Sequence, residues 1–178
     1  DSVDVEVSVV GDQLTMTPAL NFNGIVTITV TATDNGNLSS ETSFLLTVLP
    51  VNDSPTINLP ASFTFVEDDS LIIDFTQYVN DVDENELILT VSGNENVSVS
   101  IDSFEVIFGA EENWYGEETL TFRVNDSEGR DIAIDDVLVI VTPVNDPPIL
   151  AYIGPQEINE DFSLTISLSA EDVDNTEL

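Results

Sequence analysis

The chain has 178 residues, of which 42% are hydrophobic, and its 35 Asp and Glu face only two Arg, with no Lys, His or Cys, for a formal net charge of −33. This composition excludes imidazole acid–base catalysis, thiol nucleophiles and soft-ligand metal sites, and it disfavours nucleic acid and anionic membranes as partners. Oxygen-only coordination of a hard cation such as Ca²⁺ stays available. The sequence contains no apolar run of about 20 residues, so membrane insertion is not expected.

Alternation of apolar and polar residues dominates the chain from its first residues, and Thr and Ser are frequent between the apolar positions. A period of two predicts half-buried antiparallel strands, whereas long segments with helical periodicity are missing. The sequence therefore predicts an all-β fold. The alternating positions are Val3, Val5, Val7, Val9; Val26, Ile28, Val30, Ala32; Leu120, Phe122, Val124; and Leu164, Ile166, Leu168, Ala170.

An internal repeat organises the chain. LPVNDSPTI at 49–57 returns as TPVNDPPIL at 142–150, so Asn145 follows Asn52 by 145 − 52 = 93 residues, about the length of one small β-sandwich. Other landmarks recur at offsets of 91 to 93. We predict the rear part of one repeat over 1–51, a complete repeat over 52–144 and the front part of a third over 145–178.

The two ends of the chain carry incomplete repeats. It begins inside an alternating pattern and without a signal peptide, which indicates a mature piece or a fragment of something longer. A half-sandwich exposes raw strand edges and half a core, so we expect it to be completed from elsewhere. Two interpretations stay open: an excerpt from a longer tandem array, or a unit whose C-terminal strands complete the N-terminal half of another copy.

Several motifs resemble cadherin-like tandem repeats of bacterial surface and matrix proteins. The linkers VNDSP and VNDPP, the DVD at 81–83 and 172–174, and ATDNG at 32–36 with its second copy VNDSEG at 124–129 carry the resemblance. Glu67 and Glu160 are similar to the glutamate of the family's first strand. The linkers depart from the family pattern, because Pro50 and Pro143 lie near the place of its leading Asp, and Asn21 stands where the second unit has acidic residues.

The resemblance implies tandem Ig/cadherin-like Greek-key β-sandwiches with Ca²⁺ bound at each junction. Clustered carboxylates repel one another, by about 4 kcal/mol for a pair 4 Å apart at an effective dielectric of 20, so a cation is expected among them. An Asx turn that needs no ion is the alternative for each linker. The implied ligands are Asn52, Asp53, Asp81, Asp83 and Asp126 at the first junction, and Glu67, one of Glu111 or Glu112, Asn145, Asp146, Asp172 and Asp174 at the second.

These features predict a non-enzymatic segment of a calcium-rigidified extracellular or cell-surface fibre or adhesin, continued head to tail with other copies or adjacent repeats. The alternative is a recognition module of a secreted protein that binds carbohydrate or a surface protein through its loops. A glycan could stack on Trp114 and Tyr115, although an aromatic pair beside a Gly turn is typical of core packing.

Overall fold

The computed structural model describes residues 4–83, 86–126 and 132–175. Contacts divide the chain into two compact units: Asp1–Ser54 with Asp81–Asn85, and Pro55–Asn80 with Glu86–Leu178. The predicted repeat boundaries at 51/52 and 144/145 stay predictions.

The first unit consists of antiparallel hairpins. Strands β1 (Val5–Val10) and β2 (Gln13–Pro18) pair with Val7 opposite Met16, and strands β3 (Gly24–Thr33) and β4 (Ser39–Val48) pair with Ile28 opposite Phe44. Each hairpin is a two-stranded sheet. Most of the apolar side chains of this unit keep much of their surface in solvent.

The second unit contains most of the complete repeat, while residues 52–54 and Asp81–Asn85 of that repeat belong to the first unit. Its chain begins with short strands and a 3-10 turn and continues with longer strands, as the run of β-branched and aromatic residues predicts. The elements are β5 (Thr56–Ile57), β6 (Ser62–Val66), β7 (Leu71–Asp74), a 3-10 helix (Phe75–Gln77), β8 (Val79–Asn80), β9 (Leu87–Ser92), β10 (Val97–Asp102), β11 (Glu105–Ala110), β12 (Gly116–Asp126) and β13 (Ile132–Thr142).

These strands form a four-stranded sheet in the order β6-β13-β12-β9 and a three-stranded sheet in the order β10-β11-β7. All pairings are antiparallel except that of β6 with β13, which is parallel. A short ladder joins β5 to β8. The predicted all-β, Ig-like sandwich is confirmed.

The core of the complete repeat lies between its two sheets. Phe122 of β12 is fully buried and its ring lies 6.1 Å from that of Phe108 on the facing sheet and 4.8 Å from that of Phe75. Phe63 of β6 approaches Phe108 at 5.4 Å. Valines and leucines on alternate positions fill the remaining space, so burial of one face of each strand accounts for the period-two pattern.

Equivalent positions of the repeats share unusual backbone dihedral angles. Asn21 and Asn113, 92 residues apart, have φ of 58° and 57°, and Asp68 and Asp161, 93 residues apart, have φ of 58° and 69°. Asn and Asp tolerate this left-handed region better than most residues. Because Asn21 corresponds to Asn113, the glutamates at 111–112 correspond to Ala19 and Leu20, which corrects the alignment of Asn21 with acidic residues made from the sequence.

The segment after residue 143 differs from its prediction. Between residues 144 and 175, the strands are β14 (Ile149–Leu150) and β15 (Ala170–Glu171), and they pair with each other. The strand predicted from Leu164 to Ala170 was wrong except at its last residue, since positions 162–169 are not in a strand. The sequence has the right alternation, but β structure requires a paired neighbour, and among the described residues of this unit the strand pairing extends only from Ala170 to a hydrogen bond between Ala151 N–H and the Ser169 carbonyl.

Candidate metal centre

At the first linker, one hydrogen bond joins the Asn-Asp motif to the Asp-x-Asp motif, and a second lies within the Asp-x-Asp motif. The backbone N–H of Asp53 donates to Oδ2 of Asp83 at 2.6 Å, and the N–H of Asp83 donates to Oδ1 of Asp81 at 2.7 Å. The second bond closes a turn, so both carboxylates lie at a bend instead of projecting to opposite faces of a strand. The other carboxylate oxygen of Asp81 is shielded from solvent and has no hydrogen-bond partner.

A cavity of about 230 Å³ in the first unit is bordered by two of these acids. Asp53 and Asp83 line it together with the amide side chains of Asn21 and Asn23. The cavity therefore collects oxygen-bearing side chains from the linker, the Asp-x-Asp turn and the turn before β3.

The second linker reproduces this arrangement within the second unit. The N–H of Asp146 donates to Oδ2 of Asp174 at 2.6 Å, and the N–H of Asp174 donates to Oδ1 of Asp172 at 2.9 Å. The amide of Asn145 donates to the carbonyl of Asp146 at 3.0 Å, just as that of Asn52 donates to the carbonyl of Asp53 at 3.2 Å. The two linkers thus share a local structure as well as a sequence.

Glu67 anchors the second linker from the complete repeat. Its side chain is 3% exposed, and Oε1 accepts a 2.6 Å hydrogen bond from the backbone N–H of Val144. The glutamate that the family resemblance implies as a ligand therefore lies next to the linker that follows the domain.

Asp146 of the second linker is surrounded by other negatively charged side chains. Burial raises its pKa above the ordinary value of 3.8, and the negative charges of four carboxylates raise the pKa further. Its Oδ2 is shielded from solvent and lacks a hydrogen-bond partner. The four carboxylates are those of Asp68, Asp174, Glu67 and Asp172.

Asp68 is a site residue that the sequence reasoning missed. It follows Glu67 directly, has φ of 58°, and its Oδ1 accepts a 3.0 Å hydrogen bond from the N–H of Asn113. The recurrence of Glu-Asp at 160–161 was a signal for it. Only the folded chain shows that its charge acts on Asp146.

Three further predicted ligands belong to the second unit. Glu111 and Glu112 are exposed in the turn before β12 and are not among the carboxylates that raise the pKa of Asp146. Asp126 is buried at the end of β12. Within residues 4–83, 86–126 and 132–175, no three acidic side chains stand in the close arrangement of a formed metal site.

The residues present nevertheless fit a hard cation. Asp81 and Asp146 each keep one solvent-shielded carboxylate oxygen without a donor, which is costly for an ionised group. The surrounding donors are carboxylate and amide oxygens, the ligand type that Ca²⁺ takes in proteins. A calcium ion would satisfy these oxygens at both linkers.

Comparison with known proteins places the complete repeat in a family. A family model described as a bacterial Ig domain matches residues 52–142, which is 91 of the 178 residues. No curated protein matches the chain. The cadherin-like character within the Ig-like class is not established by the family match.

Two of the similar solved structures belong to much longer proteins. A variant of the endo-fucoidan hydrolase MfFcnA4 from glycoside hydrolase family 107 is 16% identical with a TM-score of 0.45, over 83% of this chain and 24% of that one. The endo-fucoidan hydrolase MfFcnA9 of the same family is 14% identical with a TM-score of 0.35, over 79% of this chain and 26% of that one. The chain thus spans about a quarter of the length of these proteins.

Bacterial Ig domains are typical of extracellular and surface proteins. None of the helices in the described part of the chain has the length and apolar character needed to cross a membrane. From the match over its complete repeat, this chain belongs to the bacterial Ig domain family.

Proposed function

We propose that the chain is a structural, non-catalytic segment of an extracellular fibre or adhesin, in which repeats continue head to tail and Ca²⁺ bound at each linker stiffens the junction. The observation that carries this proposal is the pair of shielded carboxylate oxygens without hydrogen-bond partners, one on Asp81 and one on Asp146. Each belongs to one of the two linkers that share a sequence motif and a hydrogen-bond pattern.

A cation from solution is the simplest partner for these oxygens. An ionised carboxylate that loses water without gaining a donor is destabilised unless a positive charge compensates it. The chain has only two Arg, with no Lys or His, against 35 acids. Its own side chains therefore cannot neutralise both linkers.

Calcium fits better than other common cations. The donors are oxygens only, which disfavours zinc and copper, and they are spread over flexible linker and turn segments. Mg²⁺ demands near-ideal octahedral geometry and gives up its water reluctantly, whereas Ca²⁺ accepts six to eight oxygens in variable geometry. Asn52 and Asp53, or Asn145 and Asp146, would hold the ion from the linker, and the Asp-x-Asp turn would hold it from the other side.

The mechanical consequence follows from the positions of these groups in the sequence. Asp53 and Asp83 are 30 residues apart, and Asp146 and Asp174 are 28 apart, so one ion at each linker would add a further tie between segments that these backbone-to-carboxylate hydrogen bonds already join. The flanking prolines restrict φ in the linker. A bound ion would convert this restricted linker into a rigid one.

Calorimetry and small-angle X-ray scattering of the 178-residue chain, in EDTA and in millimolar CaCl₂, test the proposal. Calcium at 100 times its Kd should stabilise the folded chain by about 2.7 kcal/mol and narrow the distribution of interdomain distances. An equal concentration of MgCl₂ is the matched control. If calcium changes neither the unfolding temperature nor the scattering curve, the calcium part of the proposal is wrong.

A further inference from the structure

The outer face of the four-stranded sheet carries isoleucines that are open to solvent. Ile132 and Ile134 lie at alternate positions of β13 and are each 53% exposed, and Ile88 of β9 is 49% exposed. The ladders place Ile132 and Ile88 on either side of Asn125 of β12. The solvated face of an antiparallel sheet is normally polar. These three side chains therefore depart from the usual pattern.

Arg123 of β12 lies among these isoleucines. It is opposite Ile134, diagonal to Ile132 on the same side, and diagonal to Ile88 on the other side. Diagonal neighbours on one face of an antiparallel pair are about 7–8 Å apart, which is within reach of a long side chain. We call these four residues, Ile88, Arg123, Ile132 and Ile134, the outer patch.

The side chain of Arg123 forms no ion pair or hydrogen bond with the described residues, although the chain contains 35 acids. Asp136 is a diagonal neighbour on the same face, but its Oδ1 accepts a 2.6 Å hydrogen bond from the hydroxyl of Thr121. The guanidinium group has five N–H donors in a fixed planar arrangement. In the described part of the chain these donors and the positive charge stay available for a binding partner.

The first unit shows that the fold does not need these side chains. Ser39 and Glu41 of β4 occupy the positions of Ile132 and Ile134, 93 residues earlier, and the cross-strand partner of Glu41 is Thr31. The ladder between β3 and β4 nevertheless forms with the same register as that between β12 and β13. The composition of the outer patch is therefore particular to the complete repeat and is not required for strand pairing.

The exposure of the outer patch does not come from a missing strand. In the four-stranded sheet β12 pairs with both β9 and β13, and β13 pairs with both β12 and β6. The bacterial Ig domain model also matches this repeat over 52–142, which includes all four strands. The isoleucines are thus open on the face of a sheet that has its full set of strands.

We propose that the outer patch binds a partner protein that presents a carboxylate flanked by aliphatic side chains. The guanidinium of Arg123 would pair with the carboxylate through two parallel N–H···O hydrogen bonds. Ile88, Ile132 and Ile134 would lose water against the aliphatic groups around it. This inference goes beyond the proposed function and does not depend on calcium.

Charge and composition select this class of partner. The centres of protein interfaces are enriched in Arg and depleted of acidic residues, and the outer patch has this composition in a chain of net charge −33. A second copy is disfavoured because two chains of this charge repel each other. Isoleucine has no hydrogen-bonding group for the hydroxyls of a glycan. An acidic group among aliphatic side chains complements both parts of the outer patch.

Selection from a displayed library of random peptides on the 178-residue chain tests the proposal. The enriched peptides should contain Asp or Glu beside Leu, Ile or Val. A synthetic peptide of the most enriched sequence should bind the natural chain in isothermal titration, and its affinity for Arg123→Gln should be about tenfold lower. Replacing the peptide carboxylate by an amide should weaken binding to the natural chain by a similar factor and should have little further effect on Arg123→Gln.

The double variant Ile132→Ser/Ile134→Glu tests the apolar contact. It introduces the residues that the first unit has at the equivalent positions, so it should fold, which thermal melts verify. Its affinity for the same peptide should be lower by about tenfold or more. Ile72→Ser is the matched control, since Ile72 is 58% exposed on β7 of the three-stranded sheet, and it should bind the peptide as the natural chain does.

Failure to enrich peptides that contain a carboxylate would overturn the proposal. So would equal affinity of the peptide for the natural chain and for Arg123→Gln or the double variant. Self-association of the natural chain in sedimentation, if the double variant abolishes it, would show that the outer patch binds a second copy and would likewise overturn the proposal.

The calcium proposal and this one fail in different measurements. The peptide should bind in EDTA as well as in calcium, because no residue of the outer patch is a candidate calcium ligand. Peptide binding without calcium binding would remove only the calcium proposal, and calcium binding without peptide binding would remove only this one.

Discussion

The backbone N–H of Asp146 donates a 2.6 Å hydrogen bond to Oδ2 of Asp174, and Asp53 and Asp83 form the same bond at the same length. Each linker thus joins its Asn-Asp motif to its Asp-x-Asp turn beside a carboxylate oxygen that has no hydrogen-bond donor. These contacts determine the effects expected from substitutions at the linkers.

Asp146→Asn should weaken calcium binding at the second linker by about tenfold or more, because a charged ligand is lost from the acidic group around it. The same variant should unfold at a higher temperature than the natural chain in EDTA, because the repulsion acting on Asp146 is removed. Isothermal titration and differential scanning calorimetry measure the two effects.

Glu117→Gln is the control for that variant, since it makes the same change in net charge at an exposed position of β12. It should leave both calcium affinity and unfolding temperature close to those of the natural chain. If the two variants bind calcium equally well, Asp146 is not a ligand.

Calcium affinity should fall as the pH falls towards the raised pKa of Asp146, because the proton and the ion compete for the same carboxylate. In EDTA the sign is opposite. The folded chain binds this proton more tightly than the unfolded chain, so the contribution of Asp146 to stability is greatest below 3.8 and is lost as the pH rises through the folded pKa.

Asp74 contributes with the reverse sign, because hydrogen bonds from Thr76 lower its pKa and its stabilisation is lost as the pH falls. Thermal melts of Asp146→Asn and of the natural chain over the acidic range separate the two groups. Identical pH profiles for the two proteins in EDTA would contradict the assignment to Asp146.

Glu67→Gln and Glu67→Ala should separate charge from hydrogen bonding. Gln keeps an acceptor for the N–H of Val144, so stability in EDTA should change little while calcium affinity falls by about tenfold. Ala leaves that N–H without its partner and should lower the free energy of unfolding by about 1–3 kcal/mol in EDTA as well. Urea denaturation provides the free energies. Equal calcium affinity for Glu67→Gln and the natural chain would remove Glu67 from the ligand set.

Phe122→Ala should destabilise the complete repeat by about 3–5 kcal/mol, because it opens a cavity among Phe75, Phe108 and the valines around them. Ile72→Ala is the control, since Ile72 lies on the outer face of β7 and is 58% exposed. It should cost less than about 1 kcal/mol. A comparable loss in both variants would show that the core does not lie between the two sheets.

The repeat and the strand pattern were readable from the sequence because both depend on local periodicity. Alternation such as that of Leu120, Phe122 and Val124 reports which face of a strand is buried, and β12 has that face in the core. The same reasoning failed at Leu164, Ile166 and Leu168, since a strand also needs a partner and periodicity does not reveal where the partner lies.

The candidate site, like the fold, was only partly predictable from the sequence. The sequence alone determined the all-β class, the 93-residue repeat and the oxygen-rich composition of both linkers, because these follow from residue type and spacing. Only the tertiary structure decided that Asp68 acts on Asp146, that Glu67 holds the linker, and that one oxygen each of Asp81 and Asp146 loses both water and hydrogen-bond donors. Solvent exclusion and charge proximity depend on segments distant in the sequence, so they arise only when the chain has folded.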